Sequence, residues 1–228
     1  MDSKIGNIRK NIDRIDKDII SLLEKRIGFV NQIGHLKSLG EDVSYIKADR
    51  EYMMIKSLSD ITTIPKKIIL QIWRNIISYS LYSEKKYKIC FLGDQSEFQK
   101  SYYLIRMYFS SLPSITNLNN YDEIDGDASN IVIAEAKNIH FIEFLYRNRG
   151  FKVFAKLSSE VGGEYYAAAK IPVQYLASLN FLYLVPMLAV KDVVDVVCKI
   201  DIEGRQYVVA EDIEAGEEGV MLGSYAQI

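Results

Sequence analysis

Residues 5–36 read IGNIRKNIDRIDKDIISLLEKRIGFVNQIGHL, and this stretch decides the fold of the N-terminal part of the chain. Its apolar residues recur at alternating steps of three and four, the spacing of the buried seam of a coiled coil. They are Ile5, Ile8, Ile12, Ile15, Ile19, Leu22, Phe29, Ile33 and Leu36. The pattern predicts one helix over residues 4–39, about 54 Å long. A small helical module cannot cover such a helix by itself, so we expect a second copy of the chain to supply a partner helix.

Two shorter helices are predicted after the long one. Gly40 ends the first helix, and residues 40–48 form a loop. Asp49 is a suitable N-cap for a second helix that runs to about Ser59. Residues 62–65, TTIP, then place a proline in the first turn of a third helix that ends near residue 84. The predicted inward positions of the third helix are Ile69, Ile72, Trp73, Ile76, Ile77 and Ser80.

The pattern changes near residue 86, where short apolar runs begin to alternate with helical segments. The predicted strands cover residues 87–93, 130–134, 151–157 and 165–171, with a hairpin of residues 196–202 and 206–213. The predicted helices cover residues 97–110 and 138–148. This alternation predicts an α/β domain with a largely parallel sheet. We therefore divide the chain into an all-helical, dimer-forming domain of residues 1–86 and an α/β domain of residues 87–228.

Composition describes an ordinary globular protein. Of the 228 residues, 49% are hydrophobic and 25% are charged, and the formal net charge is −2, which gives no overall attraction for nucleic acid or for an anionic membrane. The N-terminus lacks the apolar core of a signal peptide, and no apolar run reaches the roughly 18 residues of a membrane span. We expect a cytoplasmic protein, with Cys90 and Cys198 as reduced core thiols and no structural metal site.

Arg26 stands where the seam calls for an apolar residue. A charge on a buried face is costly unless it is paired. Either the helix turns this face outward at Leu23, or Arg26 points into a polar cavity. Lys37 favours the cavity, because it lies three turns further along the same face, about 16 Å away. Gly34 lies near the same stripe and suggests a close approach by another chain or by a ligand.

The remaining charged and polar residues indicate a binding site only when they are considered together. Arg9 lies about 26 Å before Arg26 on the same helix, so it cannot reach the same ligand. In a two-fold dimer with antiparallel long helices, Arg9 of one chain can complete the site of the other. Ser80 and Glu84 are neighbours on one face of the third helix. The pair Arg50-Glu51 opens the second helix.

In this order, the set resembles the chorismate mutases of the all-helical class. The segments that carry the resemblance are residues 8–16 (IRKNIDRID), 22–26 (LLEKR), 33–37 (IGHLK) and 49–51 (DRE). The resemblance covers residues 5–85. It implies an intertwined dimer of three-helix chains with shared active sites. It also implies the rearrangement of chorismate to prephenate, a step toward phenylalanine and tyrosine that needs no cofactor and no metal.

The resemblance also implies how the substrate is held. Arg9 from the partner chain and Arg26 bind the two carboxylates of chorismate, and Ser80 assists them. Glu51 holds the ring hydroxyl, and Arg50 is a further site arginine. Two fixed cations can keep the substrate in the compact shape that the reaction requires.

Lys37 and Glu84 match the pair that donates hydrogen bonds to the ether oxygen, where negative charge grows as the C–O bond breaks. Many members of the family have glutamine in place of Glu84, and a glutamate donates only when it is protonated. Burial would raise its pKa and the nearby Lys37 would lower it. Lys47 is a second departure, because the family often has an aspartate three residues before its Arg-Glu pair.

Residues 91–98, FLGDQSEF, weakly resemble the start of a prephenate dehydratase domain. The Thr-Arg-Phe motif of that family is absent, so we expect no dehydratase activity. The domain is either a degenerate one kept for stability or dimerisation, or a binding site for an effector such as an aromatic amino acid. Two other functions remain open for the whole chain: an isochorismate pyruvate-lyase on the same scaffold, and a non-catalytic regulatory protein of the shikimate pathway.

Overall fold

The N-terminal region consists of three helices, as the sequence predicts. The computed structural model describes residues 2–39, 45–124, 126–127, 130–158, 163–171, 180–187, 196–211 and 219–226. Helix α1 spans Asp2–Ser38, α2 spans Ala48–Asp60 and α3 spans Lys66–Glu84. With 37 residues, α1 is about 55 Å long.

The starts of the two shorter helices differ from the prediction. Helix α2 begins at Ala48, and Lys47 is its N-cap, without a side-chain cap hydrogen bond. Asp49 therefore lies in the first turn, where a carboxylate is favourable because of the helix dipole. Pro65 is the N-cap of α3 rather than a residue of its first turn. Its carbonyl accepts hydrogen bonds from the backbone N–H groups of Ile68 and Ile69 at 2.8 and 3.2 Å.

Helix α1 presents two different apolar faces. All nine seam residues are exposed in the single chain, Leu22 by 62% and Phe29 by 65%. The face that turns toward the rest of the chain lies beside the seam, and its members are half-buried. They are Leu23, Arg26, Ile27, Val30, Gly34 and Lys37. The helix thus packs one face on α3 and leaves the predicted seam uncovered.

Helix α3 buries part of its predicted inward face. Ile69, Ile77 and Ser80 are buried as expected, whereas Ile72 is 43% exposed. The helix also buries Arg74, a position that the sequence analysis did not place inward.

The second region is built on one sheet. Its elements are β1 (Lys88–Leu92), α4 (Gln95–Phe109), β2 (Ile115–Leu118), a 3-10 turn (Tyr121–Glu123), β3 (Asn130–Glu135), α5 (Ile139–Arg147), β4 (Phe151–Ser158), β5 (Glu164–Lys170), β6 (Asn180–Pro186), β7 (Val196–Ile202), β8 (Arg205–Glu211) and β9 (Val220–Ala226). The predicted strands and helices are all present, and β7 and β8 form the predicted hairpin. The sequence analysis missed β2, β6 and β9.

The sheet is mixed, so the prediction of a largely parallel sheet is wrong. The strand order is β2-β1-β3-β5-β4-β9-β6-β8-β7. Strand β1 is parallel to β2 and β3, and β4 is parallel to β9, whereas the other neighbours are antiparallel. Only residues 159–163 separate β4 from β5, too few for the crossover that parallel neighbours need. The short separation of these two strands is already visible in the sequence.

The two faces of the sheet carry two cores. Strand β3 shows the division, since Val132 belongs to the core under α5 and Ile133 to the core under α4. The core under α4 also contains Tyr45 and Ile46, which precede α2. Packing therefore runs continuously from the N-terminal helices into the sheet.

Two expectations from the composition can be compared with the structure. Cys90 is buried and Cys198 half-buried, both as reduced thiols. Within the described residues, no helix is both long and apolar enough to span a membrane.

Candidate active site

Six of the seven predicted site residues line one cavity. It lies between α1, α2 and α3 and has a volume of about 460 Å³. The six are Arg26, Lys37, Arg50, Glu51, Ser80 and Glu84. Residues as far apart in the chain as Arg26 and Glu84 thus meet because three helices pack around one space.

Arg26 points into this cavity, as one of its two interpretations required. Its guanidinium donates a short hydrogen bond to Ser80 Oγ, and Ser80 Oγ donates to the carbonyl of Ile76 at 2.7 Å. Burial and the nearby Arg50 lower the pKa of Arg26, and Glu51 opposes them. Ser80 therefore fixes the direction of a cation that has other cations beside it.

Lys37 and Glu84 form an ion pair across α1 and α3, with 2.7 Å between Nζ and Oε1. The pair explains Gly34. A Cβ on Gly34 would lie 3.0 Å from Cγ of Glu84, so the close approach inferred from this glycine is made by α3 of the same chain. The sequence analysis had assigned it to another chain or to a ligand.

Glu51 has a partner that the sequence analysis missed. Arg74 Nη1 donates to Glu51 Oε2 at 2.8 Å, and Arg74 is only 5% exposed. Burial raises the pKa of Glu51, and the charge and hydrogen bond of Arg74 oppose that rise. The signal was present in the sequence, because Leu70, Arg74, Ile77 and Leu81 recur at steps of four and three. A cation interrupts this stripe as Arg26 interrupts the seam.

Arg9 lies apart from the cavity. It is exposed on α1 and is not among the residues that line the space. This position agrees with the expectation that Arg9 does not serve the site of its own chain.

The loop before α2 contributes two further side chains, Tyr45 and Lys47, to the wall. Lys47 had been noted only as a departure from the family pattern. Burial raises the pKa of the Tyr45 phenol, which keeps it uncharged near neutral pH. Most of the loop, residues 40–44, lies outside the described part of the chain.

The described wall holds four cations against two carboxylates. Arg26, Lys37, Lys47 and Arg50 are opposed by Glu51 and Glu84, so the space favours a small molecule with more than one negative charge. Within the described residues, no group of three or more His, Cys, Asp or Glu side chains is placed to hold a metal ion.

Comparison with known families agrees with this geometry. The model of the family described as chorismate mutase type II matches residues 8–85. The N-terminal region is a chorismate mutase type II domain. The matched residues span α1, α2 and α3, and they include every residue of the predicted site.

Two curated relatives are each described as a bifunctional chorismate mutase/prephenate dehydratase. The relative from Aquifex aeolicus (strain VF5) is 31% identical over 101 residues, which cover 42% of this chain and 28% of the relative. The relative from Neisseria gonorrhoeae (strain ATCC 700825 / FA 1090) is 29% identical over 92 residues, covering 40% of this chain and 25% of the relative. The chain thus matches about a quarter of the length of these relatives.

One solved structure that resembles part of the chain is a prephenate dehydratase from Streptococcus mutans. The aligned region covers 61% of this chain and 97% of the dehydratase chain. Its TM-score is 0.42 and its sequence identity 12%. A similarity this weak supports no conclusion about the function of the second region.

Proposed function

We propose that the mutase domain converts chorismate to prephenate. The observation that carries this proposal is the meeting of six charged or polar side chains in one cavity of the domain. The reaction is intramolecular: a C–O bond breaks, a C–C bond forms, and no atom is gained or lost. The protein has only to hold the substrate in its reactive shape and to stabilise the charge that develops.

The carboxylates of chorismate are the natural partners of the arginines. Arg26, held in place by Ser80, binds one carboxylate at its own wall of the cavity, and Arg50 adds positive charge beside it. Arg9 of a second chain binds the other carboxylate. Clamping both groups brings the reacting carbon atoms together and removes much of the entropic part of the barrier.

The ether oxygen is the place where Lys37 acts. Its ammonium group has three protons, and one is directed at Glu84 in the ion pair. When substrate binds, Lys37 also donates to the oxygen that gains charge as the C–O bond breaks. Glu84 orients the ammonium group and, when it is protonated, adds a second donor.

Glu51 accepts the hydrogen bond of the ring hydroxyl. The ion pair with Arg74 holds the carboxylate of Glu51 in one orientation, and Glu51 lines the cavity. This contact exists both before and during the reaction, so it contributes to binding more than to the rate of the chemical step.

A homodimer completes the site in this proposal. The exposed seam of α1 is a long apolar stripe of the kind that pairs with another helix, and Arg9 lies on the same helix beyond reach of its own cavity. A second chain packed antiparallel along the seam would bring its Arg9 to the open side of the cavity.

Mixed dimers test the shared site. The variants Arg9→Ala and Arg26→Ala should each be inactive. Random mixing of the two should restore roughly a quarter of the wild-type activity, because half of the dimers are mixed and one of their two sites is intact. A mixture as inactive as its components would contradict the shared site.

Product analysis tests the reaction itself. The full chain is incubated with chorismate and, separately, with isochorismate, and the products are separated by chromatography. Prephenate from chorismate supports the proposal. Salicylate from isochorismate identifies a pyruvate-lyase instead, and no turnover of either compound leaves a regulatory protein.

The second region stays without an assigned reaction. We expect it to have no dehydratase activity, and we predict that it can bind an aromatic amino acid as an effector. The domain boundary at residue 86 and the cytoplasmic location also stay predictions. Mutase assays with added phenylalanine, tyrosine or prephenate would detect regulation.

A further inference from the structure

Arg74 connects the cavity between α1, α2 and α3 to the second region of the chain. On one side its guanidinium donates to Glu51 at 2.8 Å. On the other side it lies over the ring of Tyr108, with Cζ 4.3 Å from the ring centroid. Tyr108 belongs to α4, which packs between the sheet and α3. One buried cation thus touches both a wall residue of the cavity and the second region.

The surroundings keep this contact in one geometry. Next to Arg74 on α3, Ser78 Oγ lies 3.2 Å from the hydroxyl of Tyr87. Ser78 Oγ also donates to Ser110 Oγ at 3.1 Å. Both partners lie beyond residue 86. These two polar contacts between the regions lie one helical turn from Arg74.

The arrangement matters because a buried carboxylate depends on its partner. An ion pair loses far more when one member is removed than the pair contributes as a whole. A guanidinium held flat against an aromatic ring keeps its direction at a low entropic cost. If Tyr108 were absent, Arg74 would retain its charge but lose the surface that fixes its plane.

We propose that Arg74 is a positioning residue, through which α4 of the second region holds Glu51 in the orientation that binds substrate. The proposal rests on the proposed mutase activity. It assigns to the second region a part in catalysis that requires no ligand of its own.

The first experiment compares two tyrosines of α4 in the full chain. Tyr108→Leu removes the ring under Arg74. Tyr102→Leu is the matched control, because Tyr102 lies on the same helix and its ring faces Arg106 instead of Arg74, with 5.2 Å from Cζ to the ring centroid. We expect KM for chorismate to rise roughly two- to thirtyfold in Tyr108→Leu at nearly constant kcat. Tyr102→Leu should leave both constants unchanged.

A double-mutant cycle asks whether Arg74 acts through Glu51. Arg74→Met should raise KM strongly when Glu51 is present. In a Glu51→Gln background the same substitution should have little further effect, because no buried carboxylate is left to orient. Arg74→Lys, which keeps the charge, should recover part of the loss. Additive effects in the cycle would indicate a merely structural role and overturn the proposal.

A second measurement needs no turnover. The carboxyl carbon of Glu51 is followed by NMR as a function of pH and assigned through its absence in Glu51→Gln. The charged and titratable groups around this carboxyl are Arg74, Asp49, Arg26, Tyr87 and Tyr108. Burial raises the pKa of both Tyr87 and Tyr108 to about 12, so neither ionises during the titration.

The titration midpoint of Glu51 should rise in Arg74→Met, since the cation that favours the ionised form is gone, and by less in Tyr108→Leu. It should not move in Tyr102→Leu. A wild-type chain that does not turn over chorismate would refute the proposed function, yet the midpoints would still decide this inference. Midpoints that stay equal in all variants would overturn it, as would a changed KM with an unmoved midpoint.

Discussion

Lys37 takes part in two interactions in the proposed mechanism. Its ammonium group pairs with Glu84 at 2.7 Å, and in the proposed mechanism it must also meet the ether oxygen. With side-chain exposures of 21% and 11%, the pair is mostly shielded from solvent, so the loss of one partner leaves the other charge uncompensated. The charge of Lys37 therefore matters for stability as well as for catalysis.

Replacement of Lys37 tests its catalytic role. Lys37→Ala should lower kcat by roughly a hundredfold or more, the loss typical of one preorganised donor. The fold should remain intact, with a lower unfolding temperature because Glu84 loses its ion-pair partner. Lys25→Ala, an exposed lysine on the same helix, is the control and should behave as the wild type. A near-normal kcat in Lys37→Ala would contradict the assignment of the site.

Replacement of Glu84 by its amide tests the donor at the ether oxygen. An ionised carboxylate accepts hydrogen bonds and cannot donate one to the ether oxygen, whereas an amide N–H donates at every pH. We expect the kcat of Glu84→Gln to depend less on pH than that of the wild-type chain. The two kcat profiles are measured side by side, and an unchanged profile in the variant would refute this role.

Arg26 and Arg74 show how far single residues could be predicted. Both interrupt an apolar stripe, and only Arg26 was recognised, because the long seam of α1 makes an interruption conspicuous. The apolar stripe that contains Arg74 is short. The sequence pattern places the neighbouring Trp73, and not Arg74, on the inward face of α3. Neither contact partner, Ser80 or Glu51, follows from spacing, since each lies on a different helix.

At the scale of elements, α1 shows that one helix can carry two signals. The seam of period three and four is exposed in the single chain, and the half-buried face beside it packs on α3. Periodicity alone reports that a face is apolar. It does not report whether the same chain or a second one covers it.

Gly34 is where α1 and α3 approach most closely in the site. Gly34→Ala should gain up to about 1 kcal/mol in helix propensity, but its Cβ would press on Cγ of Glu84 at 3.0 Å. We expect a lower kcat with little loss of stability, because the side chain of Glu84 can shift by a few tenths of an ångström.

Gly28→Ala is the matched control on the same helix. Apart from its chain neighbours and the backbone of its own helix, no described atom lies within 4 Å of a Cβ at that position, so stability should rise and kcat should stay constant. Unfolding midpoints in urea and kcat are measured for both variants. An equal kcat in the two would show that the contact of Gly34 with Glu84 has no catalytic importance.

At the scale of the whole molecule, the core under α4 links the two regions. Ile46 is completely buried and Tyr45 is 4% exposed, and both belong to a cluster that includes Ile89, Ile133 and other residues of the sheet. We expect the chain to unfold as one cooperative unit rather than as two independent domains.

Ile46→Ala tests the shared core. The cavity that it creates should cost roughly 2–5 kcal/mol, and the unfolding of both regions should shift together. Trp73, the single tryptophan of the chain, reports on the helices by fluorescence, and far-UV circular dichroism reports on the sheet as well. Ile61→Ala, at a position 78% exposed, should change nothing. Two separate transitions would contradict the shared core.

Local periodicity and the order of charged residues along the chain were enough to predict the three helices, most strands of the second region and six residues that line one cavity. The mixed sheet, the ion pair of Lys37 with Glu84, and the contact of Arg74 with both Glu51 and Tyr108 became visible only in the folded chain. Such pairings join residues that are distant in sequence, and their geometry is fixed by the packing of whole elements, which no local pattern encodes.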